Sequence, residues 1–163
     1  MLVASEFFVT SARATSPVSD LNAFDLALLG AGLSEQNLVA VSSVLPAGIE
    51  QVEPREMPMG AVTFCVLSQM RGRGGDRVAA GIAYAMRKDG KGGYVAEGHL
   101  HGSAQSLREE LSRKMTEMSR IRGLEFGEVH YRIEELDVPE DEYGCCFASV
   151  VFCEYRRGRC GGL

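Results

Sequence analysis

Two adjacent hydroxyls, Ser42 and Ser43, interrupt an otherwise apolar stretch, Asn37-Leu-Val-Ala-Val-Ser-Ser-Val-Leu-Pro46. A serine so placed can attack the carbonyl of the residue before it and exchange an amide for an ester. Elimination from that ester leaves dehydroalanine at the new amino terminus. Hydrolysis with loss of ammonia then gives a pyruvoyl group, an electrophilic ketone made from the chain itself. Serine pairs are common, and the same residues also suit an ordinary turn or strand. Strain at Ser42 would add to the driving force for the cut.

The remaining chemistry-bearing residues each carry a functional and a plain reading. Asn37, five residues before the candidate bond, is a neutral amide donor. One such donor aimed at an oxyanion contributes on the order of 3 kcal/mol, but Asn37 also suits the first position of a strand. Glu97, in Tyr94-Val-Ala-Glu-Gly98, can hold a proton for a carbanion or sit at a strand end in solvent. Burial would raise its pKa, and a substrate cation would oppose that shift. Asp25 can take a guanidinium in a two-pronged pair that an ammonium cannot copy, or serve as a helix-start acid favoured by the macrodipole. His99 and His101 form a His-x-His that a strand would point to one face, a zinc-compatible spacing. No third ligand has convincing spacing, so no metal is expected, and His130 reads as packing.

These residues must be positioned by few helices and many strands. Glu6 to Thr10 predicts a short strand and Ala12 to Asp20 a polar connection. Ser19 or Asp20 caps a helix with Leu21, Phe24, Ala27 and Leu28 at helical spacing, which Gly30 and Gly32 end. Asn37 to Val44 reads as a buried strand broken by Pro46. Gly60 to Met70, Val78 to Met86, Gly93 to Glu97, Glu128 to Leu136 and Cys145 to Tyr155 predict further strands. Arg71 to Arg77 reads as a mobile loop rather than a nucleic-acid motif, and Lys88 to Gly93 as a turn around Asp89-Gly90. Between Ser103 and Ile121 lies the clearest helix, with Leu107, Leu111, Met115, Met118 and Ile121 as one stripe, Ser106 and Glu109 as a capping box, and Gly123 as terminator. The tail from Arg156 to Leu163 is expected to fray. Strands outnumber helices, so the architecture is α+β with layered sheets.

Composition narrows the function. At 163 residues one domain is expected, residues 1–163. Seventeen basic against 22 acidic residues give a net charge of −5, which disfavours bulk binding to nucleic acid and suits a small cation. Neither a signal peptide nor a membrane-length apolar run is evident, so a cytoplasmic protein with no membrane partner is expected. Five cysteines without a Cys-x-x-Cys pair favour buried free thiols over disulfides or zinc.

Leu21-Asn-Ala-Phe-Asp25, Ala27-Leu-Leu-Gly-Ala-Gly32, Asn37-Leu, Val41-Ser-Ser-Val-Leu-Pro46 and Pro58-Met-Gly60 together resemble the pyruvoyl-dependent arginine decarboxylase family, over about Leu21 to Glu154. The resemblance implies a layered αββα sandwich of two antiparallel sheets flanked by helices, assembled as a homotrimer or a dimer of trimers. It implies autocatalytic cleavage between Ser42 and Ser43 into a β chain, 1–42, and an α chain, 43–163, that stay associated. Ser43 would become the covalent pyruvoyl cofactor, which condenses with a substrate amine to a Schiff base and accepts the electrons released with carbon dioxide. Asn37 matches the self-cleavage oxyanion position, Glu97 the proton donor and Asp25 the guanidinium site, while His99 and His101 depart from the family pattern. The implied reaction converts L-arginine to agmatine, in polyamine synthesis or acid resistance. Two other readings fit the same residues: the same fold decarboxylating another amino acid, and an unprocessed, non-catalytic oligomeric binding protein.

Overall fold

The long strands set the frame. β1 (Leu2–Ser16) alternates between Phe7, which enters a core between two sheets, and Phe8, which enters a core beneath a helix. A strand buried on both faces must lie inside its sheet, and β1 does so, paired antiparallel with β9 (Tyr143–Arg157) from Leu2↔Arg157 to Ser16↔Tyr143. The computed structural model describes residues 1–158. β1 therefore absorbs most of the connection expected over Ala12 to Asp20. Of the tail expected to fray, Arg156 and Arg157 belong to β9, and residues 159–163, including Cys160, lie outside the described residues.

Next comes α1 (Asp20–Gly30), capped by Ser19, whose Oγ accepts the Asn22 N–H at 3.1 Å. Its small residues Ala23 and Ala27 are buried, so the helix sits close on Phe8, Cys65, Cys145 and Phe147. Of the expected stripe, Ala27 is buried and Phe24 and Leu28 pack at its edge, whereas Leu21 is turned outward, 62% exposed, as is Leu29.

β2 (Asn37–Ala40), β3 (Val44–Leu45) and β4 (Glu50–Gln51) replace the single buried strand expected from Asn37 to Val44. β5 (Val62–Arg73) and β6 (Arg77–Met86) belong to different sheets and are joined by a turn of only Gly74 to Asp76, so the Arg-Gly run is largely strand, not loop. β7 (Gly93–His101) runs on through both histidines. α2 (Ala104–Arg122) starts at Ser103, whose Oγ accepts the Ser106 N–H. Glu109 instead accepts Gln105 Nε2, so Ser106 and Glu109 make no capping box. Gly123, at φ 60°, closes the helix as expected. β8 (His130–Asp137) follows, and the His130 ring lies 5.2 Å from that of Tyr84.

Two sheets result, ordered β2-β5-β9-β1-β4 and β3-β7-β6-β8. All pairings are antiparallel except two at the rims of the first sheet, where β2 runs parallel to β5 and β4 to β1. Phe7, Val66, Ile82, Tyr84, Val95 and Val150 interdigitate between the sheets. Leu107, Leu111 and Met115 of α2 cover Ala79, Ala83 and Ala85 on the outside of the second sheet. With α1 on the outside of the first, the order of layers is helix, sheet, sheet, helix.

Two predictions follow from this packing. Gly90 and Gly92 both have positive φ, 73° and 103°. A Cβ at Gly90 meets open space, whereas one at Gly92 overlaps the Leu45 carbonyl oxygen, two residues past Ser43. Gly90→Ala should cost about 1–2 kcal/mol in urea unfolding from its left-handed backbone alone, and Gly92→Ala about 2–5 kcal/mol through strain plus overlap. Equal losses would mean that this turn does not brace β3. Burial pushes the thiols of Cys65 and Cys145 up to about 11 and that of Cys146 up to about 12. The fold keeps protons that an unfolded chain releases near pH 9, so their contribution is whole below that pH and is lost as pH climbs to 11–12. At pH 8 these three thiols should resist alkylation until denaturant is added, and urea midpoints should fall from pH 8.5 to 10.5.

Candidate active site

The serine pair lies where the chain changes sheets. β2 belongs to the first sheet and β3 to the second, so the backbone must leave one ladder and enter the other between Val41 and Ser43. β4 then rejoins the first sheet at its opposite rim. Leu45 and Ile49 anchor this excursion in the core between the sheets. Ser42 is consequently exposed and Ser43 half-buried, in a bend rather than a strand.

Three backbone hydrogen bonds hold the bend. Val41 N–H donates to Cys65 O at 3.0 Å, Val44 N–H to Ser42 O at 3.0 Å, and Val95 N–H to Ser43 O at 3.0 Å. Both carbonyls flanking Ser43 are thus oriented. No described non-glycine residue has a positive φ, so left-handed backbone strain at Ser42 plays no part.

Because β3 begins only at Val44, opposite Tyr94, the rim of β7 beyond Val95 has no strand beside it. The last turns of α2 overhang that open rim. A groove of about 660 Å³ forms there, lined by Ser42, Ser43 and Val44, by β7 from Tyr94 to Glu97, and by α2 side chains from Arg113 to Arg122. That volume suits a ligand the size of an amino acid. Lys114 Nζ ties helix to rim by donating to the Glu97 backbone carbonyl at 2.9 Å and pairing with Glu110 at 2.7 Å. The Arg122 guanidinium lies over the Tyr94 ring, 4.5 Å from its centre. Inside the sandwich, Ser68 Oγ donates to Gly98 O at 2.6 Å and fixes β7 just past Glu97.

Of the residues singled out from sequence, Ser42, Ser43 and Glu97 come together in this groove, and Asn37 and Asp25 do not line it. Asn37 begins β2, and its Nδ2 donates to Gly60 O at 2.9 Å. Asp25 is exposed on α1, in the layer behind the first sheet. Glu97 is exposed too, so the burial expected around it is absent from a single copy of the chain. His99 and His101 share its face of β7 by strand alternation, and among the described residues no three side chains gather that could hold a metal ion.

Sequence reasoning missed the α2 wall. Arg113, Glu117 and Ile121 form one row at four-residue spacing, and Lys114, Met118 and Arg122 form the next. Of the stripe expected beneath the helix, Met118 packs at the edge of that core as well as lining the groove, but Ile121 is 69% exposed and faces the groove. Lys114 and Arg122, eight residues apart on one helical row, were the available signal.

Known proteins carry the same arrangement of sequence. Residues 6–157 match the family model described as Pyruvoyl-dependent arginine decarboxylase (PvlArgDC). A relative from Methanothermobacter thermautotrophicus is 34% identical over 155 residues, which cover 94% of this chain and 100% of that one. Another from Methanopyrus kandleri is 33% identical over 134 residues, 82% of this chain and 87% of the relative. A third, from Thermococcus kodakarensis, is 35% identical over 138 residues, 83% and 87% respectively. All three bear the name pyruvoyl-dependent arginine decarboxylase. With the match running from the first long strand through the last and taking in every wall of the serine groove, the chain belongs to the pyruvoyl-dependent arginine decarboxylase family.

Proposed function

We propose that this chain cuts itself between Ser42 and Ser43 and then decarboxylates L-arginine to agmatine and carbon dioxide, as one domain over residues 1–163 working in the form of chains 1–42 and 43–163. The observation that carries the reading is the single groove lined by Ser42, Ser43 and Glu97.

In the first step Ser43 Oγ bonds to the Ser42 carbonyl carbon and the bond from that carbon to the Ser43 nitrogen breaks. The hydroxyl proton ends on the freed nitrogen, so amide becomes ester with no co-reactant. Elimination then releases the Ser42 carboxylate and leaves dehydroalanine at position 43, which water converts with loss of ammonia. A pyruvoyl group formed there fits the residues present: position 43 opens on the groove, and Val95 N–H already holds the carbonyl next to it. Such a group supplies a carbonyl that takes up an amine and withdraws the electrons of a departing carboxylate.

The remaining work falls to the chain's own side chains. Glu97, on the rim of β7, delivers a proton to the substrate α-carbon. Asp25 receives the guanidinium. Asn37 pins β2 against Gly60 and so holds the approach to the bend.

Since Asp25 does not reach the groove of its own chain, it serves the groove of a neighbouring copy in a homotrimer or a dimer of trimers. Exposed Leu21, Leu26 and Leu29 beside it on α1, and Met59 and Val62 near the β2 rim, support that assembly. Burial by the neighbour also supplies the water-poor setting that a proton-holding Glu97 requires. Among the described residues no helix is long and apolar enough to cross a membrane. Buried free thiols at Cys65, Cys145 and Cys146 suit the reducing cytoplasm.

Mass spectrometry of the purified protein should give two chains, 1–42 and 43–163, with an amino-terminal pyruvoyl on the second. Ser43→Ala should remain one chain and release no carbon dioxide from arginine. An intact wild-type chain that still released it would overturn the reading. Glu97→Gln should be processed normally yet lose about 10²–10⁴-fold in kcat, the range for a positioned acid. Asp25→Asn should be processed too, with the loss concentrated in KM for arginine. An unchanged preference for arginine over lysine in that variant would instead favour another amino acid as substrate.

A further inference from the structure

Self-cleavage puts negative charge on the Ser42 oxygen as Ser43 Oγ adds to its carbonyl carbon, and that oxygen must meet a donor. The amide of Asn37 is engaged elsewhere, with Gly60 O at 2.9 Å. Ser42 O instead accepts the N–H of Val44, 3.0 Å away. The bond spans i to i+2, so Ser43 is the central residue of a γ-turn, and its φ, like that of every described non-glycine residue, is not positive. That is the inverse form, common where strands begin.

Building on self-cleavage at this bond, we infer that the Val44 backbone N–H is the oxyanion donor of the processing reaction, preset by the inverse γ-turn around Ser43. Three observations converge on it. The donor stands 3.0 Å from the carbonyl oxygen in the resting turn, a hydrogen bond that needs only to tighten as charge develops on that oxygen. The turn is centred on the nucleophile's own residue, so one local backbone conformation orients the carbonyl to be attacked and places the Cα that bears the hydroxyl beside it. The ends of the turn cannot drift, because Val41 N–H is fixed to Cys65 O and Ser43 O to Val95 N–H, each at 3.0 Å.

In the step itself Oγ–C forms, C–N breaks and the hydroxyl proton passes to the Ser43 nitrogen. The Val44 N–H keeps its proton throughout. It shortens its hydrogen bond as the oxygen becomes anionic and relaxes when the ester carbonyl reforms.

The test removes that N–H in two ways, one of which, Val44→Pro, leaves the Ser43 amide carbonyl and its bond to Val95 N–H in place. Full-length precursor is made by cell-free translation with the hydroxy-acid analogue of valine at position 44, which turns one backbone amide into an ester and keeps the side chain. Appearance of the 1–42 and 43–163 fragments is timed by mass spectrometry. The same replacement at Val18, whose N–H serves the Ser16 side chain, controls for the ester chemistry. Cleavage should slow by about 10²–10³-fold with the analogue at position 44, the usual loss of one oxyanion donor, and be unchanged with it at position 18. Val44→Pro, which also lacks the N–H, should slow likewise while keeping its circular dichroism. Cleavage of the position-44 analogue at the wild-type rate would overturn the assignment while leaving self-processing intact. A wild-type precursor that never cleaves, like Ser43→Ala, would remove self-processing itself, and the donor with it.

Discussion

The site depends on one constraint: the chain between Asn37 and Gln51 serves both sheets. β2 and β4 lie at opposite rims of the first sheet and β3 at a rim of the second. Residues paired in a ladder have their carbonyls and N–H groups committed across strands and their side chains committed to a face. The short passage from one ladder to the next escapes both commitments, and Ser42-Ser43 occupies it. Leu45, 1% exposed, prevents the passage from becoming a floppy loop by locking its exit into the core. A reactive peptide bond needs this combination of freedom from a ladder and fixed ends.

The same topology accounts for how a cut chain would hold together. Residues upstream of the bond include β1, which lies between β9 and β4, and α1, which rests on Phe147 and Cys145. Residues downstream include β9, to which β1 is paired over its whole length. Severing the bend removes one covalent link but leaves that ladder, Phe7 in the core between the sheets and Phe8 in the core beneath α1.

Much of this was legible in the sequence, and the misses have physical causes. The Ser19 cap, the α2 stripe through Met115, the Asp89-Gly90 turn and the long final strand depend on local patterns, and each is present. The stretch from Asn37 to Val44 read as one buried strand because its composition is apolar. Hydropathy does not record that its two halves pair with different sheets, or that Val39 and Val44 are turned outward at a rim. On α1 only Leu21 departs from the expected stripe, for a related reason: Ala23 and Ala27 let the helix approach its sheet closely, Phe24 and Leu28 flank that contact, and Leu21 is left for another surface. Asp25 and Glu97 stand out by residue type and family pattern, but their separation across layers is a tertiary fact.

The donor at the Ser42 carbonyl marks a sharper limit. Side-chain reasoning looks for an amide such as Asn37 because a side chain is what sequence displays. A backbone N–H is present at every residue except proline, so nothing in the letters distinguishes the one at Val44. Its position comes from the bend, the bend from the sheet change, and the sheet change from where Leu45 and Ile49 can be buried. The apolar residues after the serines therefore bear on the proposed chemistry as directly as the hydroxyls do: they decide which N–H the Ser42 carbonyl oxygen meets. Substituting Val44 with another non-proline residue retains that donor, whereas shifting β3 by one residue would put a different N–H, or none, at the oxygen.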